Sequence, residues 1–87
     1  MTAEKKDIEN AIAGEIAMIL GIDPGDVAPD TPLESLGMDS IRLVEVLIFI
    51  EKQYGIRLMD VGFDRDSLRN AASLASCVAE ALQSSDG

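Results

Sequence analysis

The chain of 87 residues has no histidine, a single cysteine, and only 7 basic residues against 16 acidic ones. Without histidine, a Ser-His-Asp hydrolytic arrangement is excluded outright. A metal site of the His or multi-Cys type cannot be assembled either. Cys77 has no internal disulfide partner, which agrees with a reducing compartment, and the burial habit of free cysteine makes it a small core residue of the last helix. No stretch reaches the roughly 18 consecutive apolar residues of a membrane span, and Met1-Thr2-Ala3-Glu4-Lys5-Lys6-Asp7 lacks the apolar stretch of a signal peptide. The expected location is the cytoplasm. Neither a Walker phosphate loop nor a dinucleotide fingerprint occurs. Asp23 and Glu34 are spaced as the first and last ligands of a calcium loop, but Gly25, Val27 and Ala28 stand where ligands or the turn glycine are needed.

What is there is one small acidic domain. A chain of this length has room for one core, which argues against an enzyme that wraps a large substrate by itself. The formal net charge is −9, and from Asp7, itself included, up to Arg42 there are eight acidic residues and no basic one. That surface repels nucleic acid and anionic membrane and steers the chain toward partners with basic patches. Solubility alone accounts for many acidic domains, so charge narrows the partners without naming them.

Apolar spacing predicts an all-α fold: a small bundle of three main helices and one short one, at about 3–20, 39–54, 64–69 and 70–83, with a tail at 84–87. Ile8, Ala11, Ile12, Ile16, Ile19 and Leu20 give the first helix one buried stripe, and Gly21 ends it. A long loop from Gly21 to Gly37 follows, holding Pro24, Gly25, Pro29 and Pro32. Ile22, Val27, Leu33 and Leu36 are expected to pin it onto the helices. In the last helix Ala71, Leu74, Ala75, Val78 and Leu82 share a face, with Asn70 as N-cap.

The second helix is apolar on almost every side. Leu43, Val46, Leu47, Ile50 and Tyr54 form one stripe, while Ile41, Val44 and Ile48 form another around the axis. If both stripes are buried the helix is central; if the second is exposed it marks a docking surface. Periodicity allows either. At the start of this helix Asp39 is a good N-cap, which places Ser40 in the exposed first turn at the positive end of the helix dipole. An anionic group attached there is favourably placed. A plain helix cap accounts equally well for these two residues taken alone.

Leu36-Gly37-Met38-Asp39-Ser40-Ile41, followed by Val44-Glu45 and Ile50-Glu51-Lys52-Gln53-Tyr54-Gly55-Ile56, resembles the acyl carrier proteins over nearly the whole chain. The resemblance implies that Ser40 receives 4′-phosphopantetheine from coenzyme A and that Asp39 is recognised by the phosphopantetheinyl transferase. It implies a carrier without catalysis of its own, its thiol-bound cargo supplied by acyl- or aminoacyl-loading ligases, synthases or transferases with basic docking patches. The helix after the serine is then the docking element, through Ile41, Arg42, Val44, Glu45 and Ile48, and the chain is expected to be a monomer. A buried acyl chain lies between the helices in that family; Leu43, Leu47, Ile50, Leu58, Met59, Phe63 and Leu74 are the candidates to line such a space, and each is equally an ordinary core residue.

Arg42 departs from the acidic residue usual there in fatty-acid carriers, and Phe49 from a small one. Phe63-Asp64-Arg65-Asp66-Ser67-Leu68 is similar to the turn of D-alanyl and other aminoacyl carriers, which keeps an aminoacyl cargo open beside fatty-acid, polyketide or specialised lipid synthesis. An unmodified helical adaptor that binds another protein through the exposed stripe is the rival of a different class.

Overall fold

The computed structural model describes residues 4–58 and 68–84. Three α-helices dominate: α1 (Lys5–Leu20), α2 (Ser40–Tyr54) and α3 (Ala71–Ser84), with two short 3-10 turns, Pro24–Asp26 and Leu33–Leu36, between the first two. No strand occurs among the described residues. The first helix begins at Lys5, two residues later than its apolar spacing suggests, because the stripe that holds it down starts only at Ile8. The short helix expected at 64–69 lies almost wholly outside the described residues, as do Met59 and Phe63; Leu68 and Arg69 lead directly into the cap of α3.

Ile8, Ile12 and Ile16 are fully buried on α1, facing Leu74, Ala75 and Val78 of α3 and Val46 and Ile50 of α2 within one core. Alpha-helical spacing of three and four residues puts each set on one face, and burying a side chain of this size contributes about 1.5–3 kcal/mol. The α1–α3 contact is the most extensive, followed by α1–α2. Cys77 is buried on α3, as its residue type suggests. Ala17 joins the core beside Ile16, whereas its neighbour Met18 points outward.

Asn70 caps α3 by a reciprocal pair. Its Oδ1 accepts from the Ser73 backbone N–H at 2.8 Å, while its own N–H donates to Ser73 Oγ at 3.1 Å. Two first-turn donors are thereby satisfied, with serine in the place more often held by Glu or Gln.

The long loop is pinned as expected by Val27 and Leu33, both buried, and by half-buried Ile22 and Leu36. Hydrogen bonds then stitch it to the entry of α3: Leu33 N–H donates to the Arg69 carbonyl and Ala72 N–H to the Pro29 carbonyl, both at 2.9 Å. The loop thus forms a wall that faces the start of α2.

Candidate functional site

The chain enters α2 through Gly37, whose φ of 86° lies in the left-handed region. A Cβ there would meet no atom within 4 Å, so the need for glycine comes from the backbone conformation and not from crowding. Met38 follows, its N–H donating to the Leu33 carbonyl at 3.2 Å, and Asp39 takes the extended conformation of an N-cap.

Asp39 is held from two directions by one residue. Its Oδ1 accepts from the Arg42 backbone N–H at 2.8 Å, and its Oδ2 from Arg42 Nη1, also at 2.8 Å. The backbone bond is the main cause that holds the Asp39 carboxyl below its ordinary value of 3.8, and the guanidinium lowers it further. A carboxyl depressed on folding favours the folded state above its ordinary value, and that contribution disappears as pH falls through the folded value. The Asp39 cap therefore persists down to a pH below 3.8 and is lost under more acidic conditions. A carboxyl-detected NMR titration is expected to give a midpoint below 3.8 that rises in Arg42→Gln without reaching it, because the backbone bond remains. An unmoved midpoint would mean that the guanidinium contributes nothing.

Ser40 is the first residue of α2 and is exposed. Its hydroxyl forms no hydrogen bond among the described residues, unlike Ser35 Oγ, which donates to the Pro32 carbonyl at 2.6 Å, and Ser73 Oγ, which donates to the Asn70 carbonyl at 3.0 Å. Beside it opens a groove of about 630 Å³ between the second 3-10 turn, the start of α2 and the entry of α3. Pro32, Met38, Leu43 and Leu68 give it apolar walls; Glu34, Asp39, Ser40 and Arg69 supply its polar groups.

Around α2 the two apolar stripes separate. Val46 and Ile50 are fully buried and Leu43, Leu47 and Tyr54 half-buried, while Ile41, Val44 and Ile48 are 74%, 52% and 45% exposed. The second stripe is therefore surface, because a helix on one side of a three-helix core turns a single stripe inward. Arg42 and Glu45 are exposed with it.

Of the described residues among the candidates for an acyl space, only Leu43 reaches the groove. Ile50, Leu58 and Leu74 are core residues at 0%, 2% and 1% exposure, and Leu47 is half-buried on α2. Sequence spacing gave no hint of Met38, Leu68 or Arg69 as groove walls, since they reach it through the loop's hydrogen bonds to the entry of α3 and not through a helical period.

Residues 10–78 match the family model described as the phosphopantetheine attachment site. The chain belongs to the phosphopantetheine carrier family. This carrier chain is 31% identical over 61 residues to the meromycolate extension acyl carrier protein of Mycolicibacterium aurum, a match that covers 69% of the chain and 63% of that protein. It is 29% identical over 79 residues to the acyl carrier protein of Acidothermus cellulolyticus, covering 90% of the chain and 88% of the relative. Over 44 residues, 51% of the chain, it is 43% identical to highly reducing polyketide synthase 2 of Gibberella zeae, of which it spans 2%.

The family's prosthetic group is 4′-phosphopantetheine, and the residues present fit it: an exposed, uncommitted hydroxyl at a helix N-terminus, with an open groove beside it. No helix among the described residues is long and apolar enough to cross a membrane, and no group of metal-binding side chains occurs among them.

Proposed function

We propose that this chain is loaded with 4′-phosphopantetheine at Ser40 and carries acyl groups as thioesters among enzymes of fatty-acid, polyketide or specialised lipid biosynthesis. The observation that carries the reading is the uncommitted Ser40 hydroxyl, exposed directly after the Asp39 cap, in a chain of this family. The named relatives, acyl carrier proteins and a polyketide synthase, support an acyl cargo. In loading, the Ser40 Oγ–P bond forms as the pyrophosphate P–O bond of coenzyme A breaks; adenosine bisphosphate leaves, and the hydroxyl proton passes to a base of the transferase. The bound group supplies a terminal thiol for thioester exchange. Asp39 and the first turn of α2 hold Oγ outward, and the helix dipole favours the new phosphodiester charge.

Partner enzymes supply the catalysis, and the chain serves as their substrate in the cytoplasm, as a monomer. Exposed Asp23, Asp26, Asp30 and Glu34 lie in the loop before α2, so a partner with a basic rim is steered toward the Ser40 end of the molecule. Ile41, Val44 and Ile48 then offer the apolar centre of the contact, with Arg42 and Glu45 beside it. Ile48→Asp or Glu45→Lys is expected to lower kcat/KM for loading or for acyl transfer by about tenfold, the scale of one lost interface anchor. Both changes are at the surface and should leave stability within about 0.5 kcal/mol by urea denaturation. Unchanged kinetics in both variants would remove α2 as the docking face.

The test of the whole reading is intact mass after incubation with coenzyme A, Mg²⁺ and a broad-specificity phosphopantetheinyl transferase. A single phosphopantetheine addition is expected. No addition by several such transferases on folded protein would overturn it and favour an unmodified helical adaptor.

A further inference from the structure

By local rules Arg42 is the wrong residue for its place. It is the third residue of α2, where the positive end of the helix dipole disfavours a cation and where glutamate or glutamine would reach back to the N-cap N–H. The first turn of α2 holds no acidic residue, whereas α1 and both 3-10 turns carry Asp7, Asp26 and Glu34 in theirs. The ion pair with Asp39 does not redress this: its side chains are 47% and 52% exposed, and pairs so exposed contribute little in water. A local rule broken without a gain in stability points to function.

The charge also stands where a partner meets it. Between Lys6 and Lys52 Arg42 is the only basic residue, and it follows a loop that exposes Asp23, Asp26, Asp30 and Glu34. At about 100° per residue, the exposed side of α2 runs from Ser40 through Val44, Ile48 and Ile41 to Glu45 and Arg42. Arg42 thus edges the apolar stripe on the side away from Ser40. An enzyme that covers the stripe brings one of its own groups against it.

We propose that Arg42 is a specificity-determining residue: it selects enzyme partners whose otherwise basic rim carries a carboxylate opposite it, and it disfavours those whose rim is basic there too. This rests on loading at Ser40 and docking through α2. Against a wholly basic rim the guanidinium meets a like charge, which rejects the wrong partner more effectively than a lost attraction would. Against a carboxylate it has donors to give, because Nη1 holds Asp39 Oδ2 at 2.8 Å and the guanidinium presents five N–H groups in all. Asp39 holds the long side chain in place before the partner arrives, which lowers the entropy lost in ordering it. The pattern presented to a partner is therefore an acidic loop with one fixed positive charge beyond it.

The test is a charge swap read in loading kinetics. The full chain, Arg42→Gln and Arg42→Glu are loaded from coenzyme A and Mg²⁺ by a broad-specificity phosphopantetheinyl transferase with a basic rim. Variants of that transferase, with each basic rim residue in turn replaced by glutamate, are then compared. With the basic rim at low salt, KM is expected to fall about fivefold in Arg42→Gln and further in Arg42→Glu, at unchanged kcat, the scale of one contact between exposed charges. At about 1 M ionic strength, where the screening length is about 3 Å, the three proteins should converge. One rim variant is expected to reverse the order and load the parent best. A folded parent that takes up no phosphopantetheine from several transferases overturns the attachment reading itself. A parent that loads, with KM equal in all three proteins or raised in Arg42→Glu against the basic rim, overturns the selection alone. A change confined to kcat overturns it as well, since Arg42 would then act by positioning Asp39. Failure of every rim variant to reverse the order removes the carboxylate-bearing partner.

Discussion

Ser40→Ala is expected to take up no phosphopantetheine, while its unfolding free energy stays within about 0.5 kcal/mol of the parent. The two halves of this result come from different features. Removing Oγ removes the nucleophile, so loading falls to the detection limit of the mass measurement. Stability is spared because Ser40 is exposed and does not cap α2: the capping oxygen belongs to Asp39, which keeps its bond to the Arg42 N–H. Alanine is also the best intrinsic helix former and suits a first-turn position. Circular dichroism together with urea unfolding checks the second half. An addition retained by Ser40→Ala would move the site to another hydroxyl, and exposed Ser35 would be the first to substitute, although its own bond to the Pro32 carbonyl argues against it. Loss of folding would give Ser40 a structural role that its surroundings do not suggest.

How much of this could be read from the residues alone varies with the range of the interaction. The three main helices follow from local spacing, because Ile8, Ile12 and Ile16, or Leu74 and Val78, recur at the helical period whatever they pack against. Both caps are local too: Asp39 and Asn70 are short polar residues directly before apolar runs, and each accepts from the N–H three positions on. The exposure of Ile41, Val44 and Ile48 was undetermined, since it depends on how many neighbours surround α2. The groove was invisible for the same kind of reason. Its walls come from chain segments at least 25 residues apart, joined by the Leu33–Arg69 and Ala72–Pro29 backbone bonds, which leave no side-chain signature. The Arg42 side chain illustrates an intermediate case: its position three residues after Asp39 is a legible ion-pair spacing. In the sequence its departure from the usual acidic residue marks it only as a docking charge. In the structure it is first a partner of the cap.

Leu74→Ala is expected to destabilise the fold by about 2–5 kcal/mol, a large share of the roughly 5–15 kcal/mol that small domains possess. The melting temperature should fall by about 4–8 °C for each kcal/mol lost. Leu74 is 1% exposed on α3, within the core that α1 shares through Ile8, Ile12 and Ile16, and α1–α3 is the most extensive helix contact. The same residue was one of those that could line a space for a buried acyl chain, and the magnitude separates the two roles. A side chain packed on all sides leaves a cavity when truncated, with the transfer and cavity terms adding. A side chain at the wall of a space already open loses fewer contacts, and its truncation should cost less than about 1 kcal/mol. Urea titrations with equal slopes for parent and variant would confirm that stability alone has changed. Leu43→Ala is the internal comparison, since Leu43 is half-buried and lines the groove. The structure predicts the larger loss at Leu74; a reversal of that order would place the open space between α1 and α3 instead of beside Ser40.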